Sequence, residues 1–102
     1  MENKKARFLI GLSMKAGKIA AGEFAVEKSV KQGKAYLVVL AEDASGNTEK
    51  KFRNMCSYYR VPLVRFLDKE QLGAAIGREY RACVAVLDEH LAEEIRQQLE
   101  QQ

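Results

Sequence analysis

The chain has 102 residues, 47% of them hydrophobic and 30% charged, with a single proline, which predicts one globular domain over residues 1–102 with no room for a second. It has neither a run of about 18 apolar residues nor a secretion signal, so we expect a cytoplasmic protein without a membrane span. The net charge is +3, and residues 1–53 contain 11 of the 17 basic but 6 of the 14 acidic side chains. This concentration indicates either a surface for a polyanion or lysines that only keep the protein in solution.

The predicted elements of the first half alternate between helix and strand. In chain order they are a helix over 4–16, a short edge strand that residues 18–20 can add, a helix over 23–32 and a strand over 35–41. The first helix is predicted from apolar side chains at helical spacing, which are Phe8, Leu9, Leu12 and Ala16. Gly17 and Gly33 follow the two helices, where a glycine commonly ends a helix. The strand is a continuous apolar run, which is typical of a strand covered on both faces.

The second half continues the alternation. In chain order its elements are a helix that includes residues 52–59, a strand over 61–67, a short helix over 68–76, a strand over 82–87 and a final helix after Asp88. Predicted helix caps are Ser45, Asn47 or Thr48 for the third helix, Asp68 with Gln71 for the fourth and Asp88 for the last. One buried stripe of the third helix is predicted to contain Phe52, Met55, Cys56 and Tyr59. The alternation predicts an α/β fold with a partly parallel sheet between helical layers.

The segment from Gly17 to Gly22 has the glycine spacing of a phosphate-binding loop. Such a loop continues with a lysine for the phosphates and a hydroxyl residue for magnesium. Here Glu23 and Phe24 follow instead. Because a carboxylate at this point repels phosphate, the sequence disfavours nucleotide hydrolysis.

The second predicted helix has a face that is both basic and aromatic. On a helical wheel Phe24, Lys28 and Lys31 lie together, opposite the small apolar residues of the helix. Lysines can contact phosphates while a ring stacks on an unstacked base. Gly22 lets a ligand approach the backbone, and the free amides of the first turn favour an anion. The alternative is that Phe24 folds back against the first helix and the lysines are merely solvated; Glu27 is expected to pair with Lys31.

A second candidate surface is the loop "GREYRA" at residues 77–82, where Arg78 and Arg81 flank Glu79 and Tyr80. Arginine forks and tyrosine rings suit RNA backbone and bases, and an ordinary polar connection is the alternative. One histidine and two distant cysteines give no convincing catalytic triad or zinc site. We therefore expect no enzyme activity, no catalytic or metal-binding residues and no cofactor.

Three stretches together resemble a known family: "GKIAAGEFAVEKSVKQGKAYLVVLAEDAS", "YYRVPLV" and "LGAAIGREYRACVAV". They are similar to the kink-turn-binding ribosomal proteins of the L-seven-Ae type, and closest to the small stand-alone bacterial members encoded among translation genes. The resemblance covers roughly residues 6–88 and implies a three-layer α/β/α sandwich with a central mixed sheet. It also implies binding of a sharply bent RNA with tandem sheared G·A pairs. The helix start at 22–28 would insert at those pairs, and "GREYR" would pack against unstacked bases.

Several residues match the family pattern directly. Gly22 and Lys28 are two of them, and "AED" at 41–43 matches an acidic turn near the RNA, which adds Asp43 to the expected site. The helix before the specificity loop is matched by Leu72, Gly73 and Gly77.

The sequence departs from the family where guanine edges are read. The usual G-x-N-E motif has an asparagine and a glutamate where Phe24 and Ala25 stand here, and neither residue can make a side-chain hydrogen bond. Base reading is then weakened or moves to Glu23 or Glu27. The arginines and tyrosine of residues 78–81 also replace the small apolar residues that are common in the family's loop.

The leading hypothesis is a non-enzymatic, monomeric binder of structured RNA, a kink-turn in ribosomal RNA or in a messenger leader, associated with the ribosome. The expected RNA-binding residues are Lys15, Lys18, Gly22, Glu23, Phe24, Lys28, Lys31, Asp43, Arg78, Glu79, Tyr80 and Arg81. The alternative is a protein-interaction module that kept the fold but lost kink-turn recognition. A third is a partner of RNA methyltransferases, whose accessory domains can share this fold.

Overall fold

The computed structural model describes residues 3–100. Over this range the chain forms five helices, α1 (Lys4–Lys15), α2 (Glu23–Lys31), α3 (Gly46–Tyr59), α4 (Lys69–Ala75) and α5 (Glu89–Glu100). The four strands are β1 (Ile19–Ala21), β2 (Leu37–Leu40), β3 (Leu63–Arg65) and β4 (Cys83–Val86). In this part of the chain no helix has the length and apolar character needed to cross a bilayer.

The four strands form one mixed sheet in the order β1-β4-β2-β3. β2 and β3 run parallel, with Val38 opposite Leu63, whereas β4 pairs antiparallel with both β1 and β2. The short edge strand predicted at 18–20 is present one residue later, as β1. The three longer predicted strands are each shorter than expected by one or two residues at either end.

Helices cover both faces of the sheet, which confirms the three-layer sandwich. Leu37 and Val39 of β2 point to a core shared with α1, α4 and α5. Val38 and Leu40 point to a second core shared with α2 and α3. All four residues of β2 and all four of β4 are buried, because successive side chains of a central strand enter opposite cores.

Of the four apolar residues that predicted α1, only Leu9 is buried. Phe8 is 67% exposed and Leu12 is 41% exposed. Ala16, just beyond the helix, is exposed as well. The residues that α1 buries are instead Ala6, Leu9, Ile10 and Ser13. Close contact with α5 and α4 selects this stripe, which contains small residues, and turns the largest side chain of the helix outward.

In α3 the predicted stripe is correct in its centre and wrong at its end. Phe52 and Cys56 are fully buried, whereas Met55 is half-buried and Tyr59 is exposed near the end of the helix. Burial raises the pKa of the Cys56 thiol to about 11. Cys56 is therefore a protonated core residue rather than a nucleophile, as predicted.

The predicted capping residues and terminal glycines are found at the helix ends. Ser45 is the residue that caps α3, Asp68 and Gln71 form the complete capping box of α4, and the Asp88 carboxylate accepts from the Leu91 amide at the start of α5. Gly17, Gly33 and Gly77 follow α1, α2 and α4 with φ between 72° and 74°. These left-handed glycines end the helices without the steric cost that a side chain would bring.

Candidate nucleic-acid interface

The start of α2 presents uncapped backbone amides to solvent. Gly22 occupies the cap position with φ 92° and ψ 161°, and within residues 3–100 no side chain caps the first turn. This backbone conformation is accessible to glycine and strained for other residues. The Gly22 amide itself donates to the carbonyl of Cys83 at 3.0 Å, which fixes the helix start to β4. The remaining first-turn amides and the helix dipole favour an acceptor or an anion at this point.

Pairing between β1 and β4 brings this helix start to the loop that precedes β4. Ala21 lies opposite Val84 in the ladder, so α2 leaves the sheet beside the point where the loop enters it. The two segments line a common groove of about 490 Å³, and its lining includes Gly22, Glu23, Phe24, Tyr80 and Arg81. The structure thus joins the two stretches that the sequence identified separately.

Phe24 is 83% exposed, so it does not fold back against α1. Tyr80 is also exposed, and its hydroxyl lies 3.4 Å from the Glu70 carboxylate of α4. Two exposed aromatic rings therefore line one groove, on the α2 side and on the loop side. Flat rings in a polar groove are suited to stacking with unpaired bases.

The loop is held against α4 through Gly73. The Arg78 amide donates to the Gly73 carbonyl at 2.8 Å, and the Arg81 amide donates to the Lys69 carbonyl at 3.1 Å. A Cβ atom at Gly73 would lie 1.7 Å from the carbonyl oxygen of Glu79. The loop can therefore pack this closely only on a glycine. Its outer side, with Arg78 and Glu79, lines a second depression of about 500 Å³.

The lysines of α2 are not equivalent. Phe24, Lys28 and Lys31 line a shallow depression of about 350 Å³ next to the groove. Lys31 is paired with Glu27 at 2.8 Å, as predicted. Lys28, by contrast, takes part in none of the ion pairs formed within residues 3–100. It is therefore the lysine of this depression whose ammonium has no carboxylate partner among the described residues.

Lys51 of α3 belongs to the same cluster and was not among the predicted residues. Its ammonium lies 2.8 Å from the second carboxylate oxygen of Glu27. Hydrogen bonds from Lys31 and Lys51 lower the pKa of Glu27 to about 2. Both Glu27 oxygens are thus engaged, whereas Glu23 has one weaker contact, from the Thr48 hydroxyl at 3.3 Å. The sequence did not predict Lys51, because its ion pair with Glu27 joins two helices and residue spacing within one helix does not indicate such a contact.

Three predicted residues lie outside both the groove and the two depressions beside it. Lys18 stands at the opposite end of β1, where its carbonyl accepts from the Leu87 amide, and a strand of this length separates it from Gly22 by about 13 Å. Lys15 lines a different depression, between α1 and α4. The Asp43 carboxylate accepts from the Lys69 amide at 2.9 Å and so supports the start of α4.

The described residues offer no metal site: among residues 3–100 no group of three histidine, cysteine, aspartate or glutamate side chains is placed to hold an ion. The chemistry available in the groove is that of hydrogen bonding, stacking and positive charge.

Comparison with known proteins places these features in a wider context. The sequence profile of the ribosomal protein L7Ae/L30e/S12e/Gadd45 family matches residues 4–96. The RNA-binding protein YlxQ of Bacillus subtilis (strain 168) is 42% identical over 87 residues, which are 85% of this chain and 87% of YlxQ. The large ribosomal subunit protein eL8 of Thermoplasma volcanium is 32% identical over 94 residues, 91% of this chain and 78% of eL8. A solved structure of a Bacillus halodurans protein with unknown function has a TM-score of 0.91 at 31% identity and covers 94% of this chain and 97% of that chain.

Proposed function

This chain belongs to the ribosomal protein L7Ae/L30e/S12e/Gadd45 family, and on that premise we propose that it is a non-enzymatic protein that binds structured RNA at a kink-turn. The names of the relatives support RNA as the ligand, since one is an RNA-binding protein and the other a ribosomal subunit protein. The observation that carries the proposal is the groove that joins the α2 start to residues 80–82. We further propose that residues 1–102 act as one monomeric domain on ribosomal or messenger-leader RNA in the cytoplasm.

The groove supplies the contacts that a bent RNA needs. Uncapped amides at the start of α2 donate to backbone phosphate or base acceptors. Phe24 and Tyr80 stack on bases that the bend leaves unstacked. Lys28, Arg78 and Arg81 contact phosphates, and this charge makes affinity depend on salt. A straight duplex keeps its bases stacked and cannot use the two rings.

Glu23 is the residue that we propose for reading guanine edges. Ala25 and Phe24 have no side-chain donor or acceptor, and both carboxylate oxygens of Glu27 are occupied by lysines. Glu23 lies in the groove. Its carboxylate can accept from the N–H groups on the Watson–Crick edge of a guanine, and the contact with Thr48 orients it.

The proposal is tested by titrating the protein with a kink-turn RNA and with a straight duplex of equal length. We expect the kink-turn to bind at least about tenfold more tightly. Equal affinity would refute kink-turn recognition, and an absence of binding to either RNA would favour the protein-interaction alternative.

Lys28→Ala tests the site itself. We expect weaker binding and a salt dependence whose slope is reduced by about one, with an unchanged far-UV circular dichroism spectrum. Lys34→Ala is the matched control, because Lys34 is an exposed lysine just beyond the same helix that does not line the groove or the depression beside it. Equal effects of the two substitutions would remove Lys28 from the site.

A further inference from the structure

A second concave surface lies between α1 and α4, apart from the proposed RNA groove. This α1/α4 groove has a volume of about 490 Å³ and is lined mainly by apolar side chains, among them Phe8, Leu12 and Met14 of α1 and Ala75 and Ile76 of α4. Its volume lies within the range of ligand-binding pockets, about 300–1,000 Å³, and its lining is mainly apolar, as theirs is.

The exposed apolar side chains of α1 border this groove. Phe8 and Leu12 are four residues apart and therefore lie on one side of the helix. Single exposed apolar residues are ordinary, but a large pair beside an apolar concavity indicates an interaction site. Between them, at Gly11, the two helices approach closely, since a Cβ atom there would lie 3.0 Å from the Ala75 carbonyl oxygen.

The charge around the groove determines which partner fits. α1 contains Lys4, Lys5, Arg7 and Lys15 and no acidic residue. Lys4 precedes Phe8 by one helical turn and Lys15 follows Leu12 by nearly one turn, so both lie on the side of the exposed pair. Among the described residues that line the groove none is acidic. The groove is therefore apolar in its floor and positive at its border.

We propose that the α1/α4 groove binds an acidic amphipathic helix of a partner protein. Apolar residues of such a helix at i, i+3, i+4 and i+7 would cover Phe8 and Leu12, while its carboxylates would meet Lys4 and Lys15. A second copy of this chain is a poorer occupant, because two copies of α1 would bring their lysines together. RNA is a poorer occupant, because apart from the ring of Phe8 the floor is aliphatic, and Leu12, Met14 and Ile76 offer bases no hydrogen bonds and no second ring to stack on.

The partner would sit next to the RNA surface. Ala74 of α4 lines both the α1/α4 groove and the depression formed by the loop with Arg78. The two surfaces thus share a helix but not their aromatic residues. The assembly would be a ribonucleoprotein in which this chain joins an RNA to an acidic protein segment.

The test uses the full chain and two synthetic helical peptides with leucines at i, i+3, i+4 and i+7. One peptide has glutamates at the remaining exposed positions, and the control has lysines there. We expect the acidic peptide to bind at least about tenfold more tightly at moderate salt, and to shift backbone amide resonances of residues 7–15 and 74–77. Equal affinity of both peptides, or shifts centred elsewhere, would overturn the proposal.

Two substitutions separate this groove from the RNA site. Phe8→Ala removes an exposed side chain, so the fold is retained, and we expect it to weaken peptide binding at least about fivefold while leaving kink-turn binding unchanged. Phe24→Ala should have the opposite pattern. If Phe8→Ala weakens RNA binding instead, the groove belongs to the RNA surface and the proposal is wrong.

Discussion

Phe24 shows how a single side chain can distinguish a binding surface from a packed one. Burying a phenylalanine stabilises a fold by about 1.5–3 kcal/mol, yet this one stays in water at the first turn of α2. The sequence placed Phe24 opposite the valines of α2 but left open whether its ring folds back against α1; the ring is exposed. The sequence could not predict Lys51, since no spacing rule connects residues on two different helices.

Replacing Phe24 with alanine should weaken RNA binding at least about fivefold, because one base then loses its stacking partner. The free energy of unfolding should not change, since the ring is exposed. Filter binding and urea denaturation measure the two quantities. Tyr58→Ala is the control, as Tyr58 is an exposed aromatic residue of α3 outside the groove. A similar loss in both variants would show that the effect is not specific to the groove.

The pKa of Glu27 shows whether its ion pairs with Lys31 and Lys51 are formed. Lys31 and Lys51 lower its pKa from the ordinary value of 4.5 to about 2. The pKa is lower in the folded state, so the ion pairs stabilise the fold fully above pH 4.5 and lose this contribution as the pH falls toward 2. Carboxyl carbon resonances followed by NMR should give this midpoint in the native protein. Lys31→Ala and Lys51→Ala should each raise the pKa of Glu27, because each removes an ammonium 2.8 Å from its carboxylate. An unshifted value in both variants would contradict the cluster.

At the scale of elements, α4 and the loop after it form one unit. Only the glycine at position 73 allows the Glu79 carbonyl to reach the helix. The sequence predicted this helix and its capping box from local chemistry. It did not show which apolar side chains of α1 are buried, because several apolar stripes are possible on that helix and the choice depends on α5, which lies far away in sequence.

Gly73→Ala should therefore move the loop away from α4. We expect the free energy of unfolding to fall by about 1–3 kcal/mol and RNA affinity to fall at least about tenfold, since the loop's arginines and tyrosine lose their position. Calorimetry and RNA titration measure both. Gly46→Ala is the control: it lies at the first position of α3, where a Cβ atom meets nothing within 4 Å, and it should be neutral or slightly stabilising. Wild-type stability and affinity in Gly73→Ala would show that the loop does not depend on this contact.

At the scale of the whole molecule, the site depends on topology. The alternation of elements predicted an α/β sandwich, but the antiparallel pairing of β1 with β4 is what brings Gly22 beside the loop at 77–82. Pairing across a sheet is a long-range property that periodicity does not encode. For that reason the residue patterns alone identified the two halves of the groove as separate stretches, and Lys18, which lies at the other end of β1, was grouped with them.

The reactivity of the two cysteines shows whether the core between the sheet and the helices α2 and α3 is intact. Cys56 and Cys83 are buried in the core between the sheet and the helices α2 and α3, and burial raises the pKa of Cys83 to about 12. Thiol labelling at neutral pH should therefore be slow in the native protein and increase in parallel with the unfolded fraction in denaturant. The comparison is between labelling rates and circular dichroism over one urea series. Rapid labelling without denaturant would mean that this core opens locally.

The geometry of α4 also restricts which changes of length the chain tolerates. The capping box at Asp68 fixes where α4 begins, and the left-handed Gly77 fixes where it ends. One inserted residue would turn everything after it by about 100° around the helix axis, so Gly73 would no longer face the Glu79 carbonyl. We expect insertions and deletions between these two points to abolish the site even where substitutions at the same exposed positions are accepted.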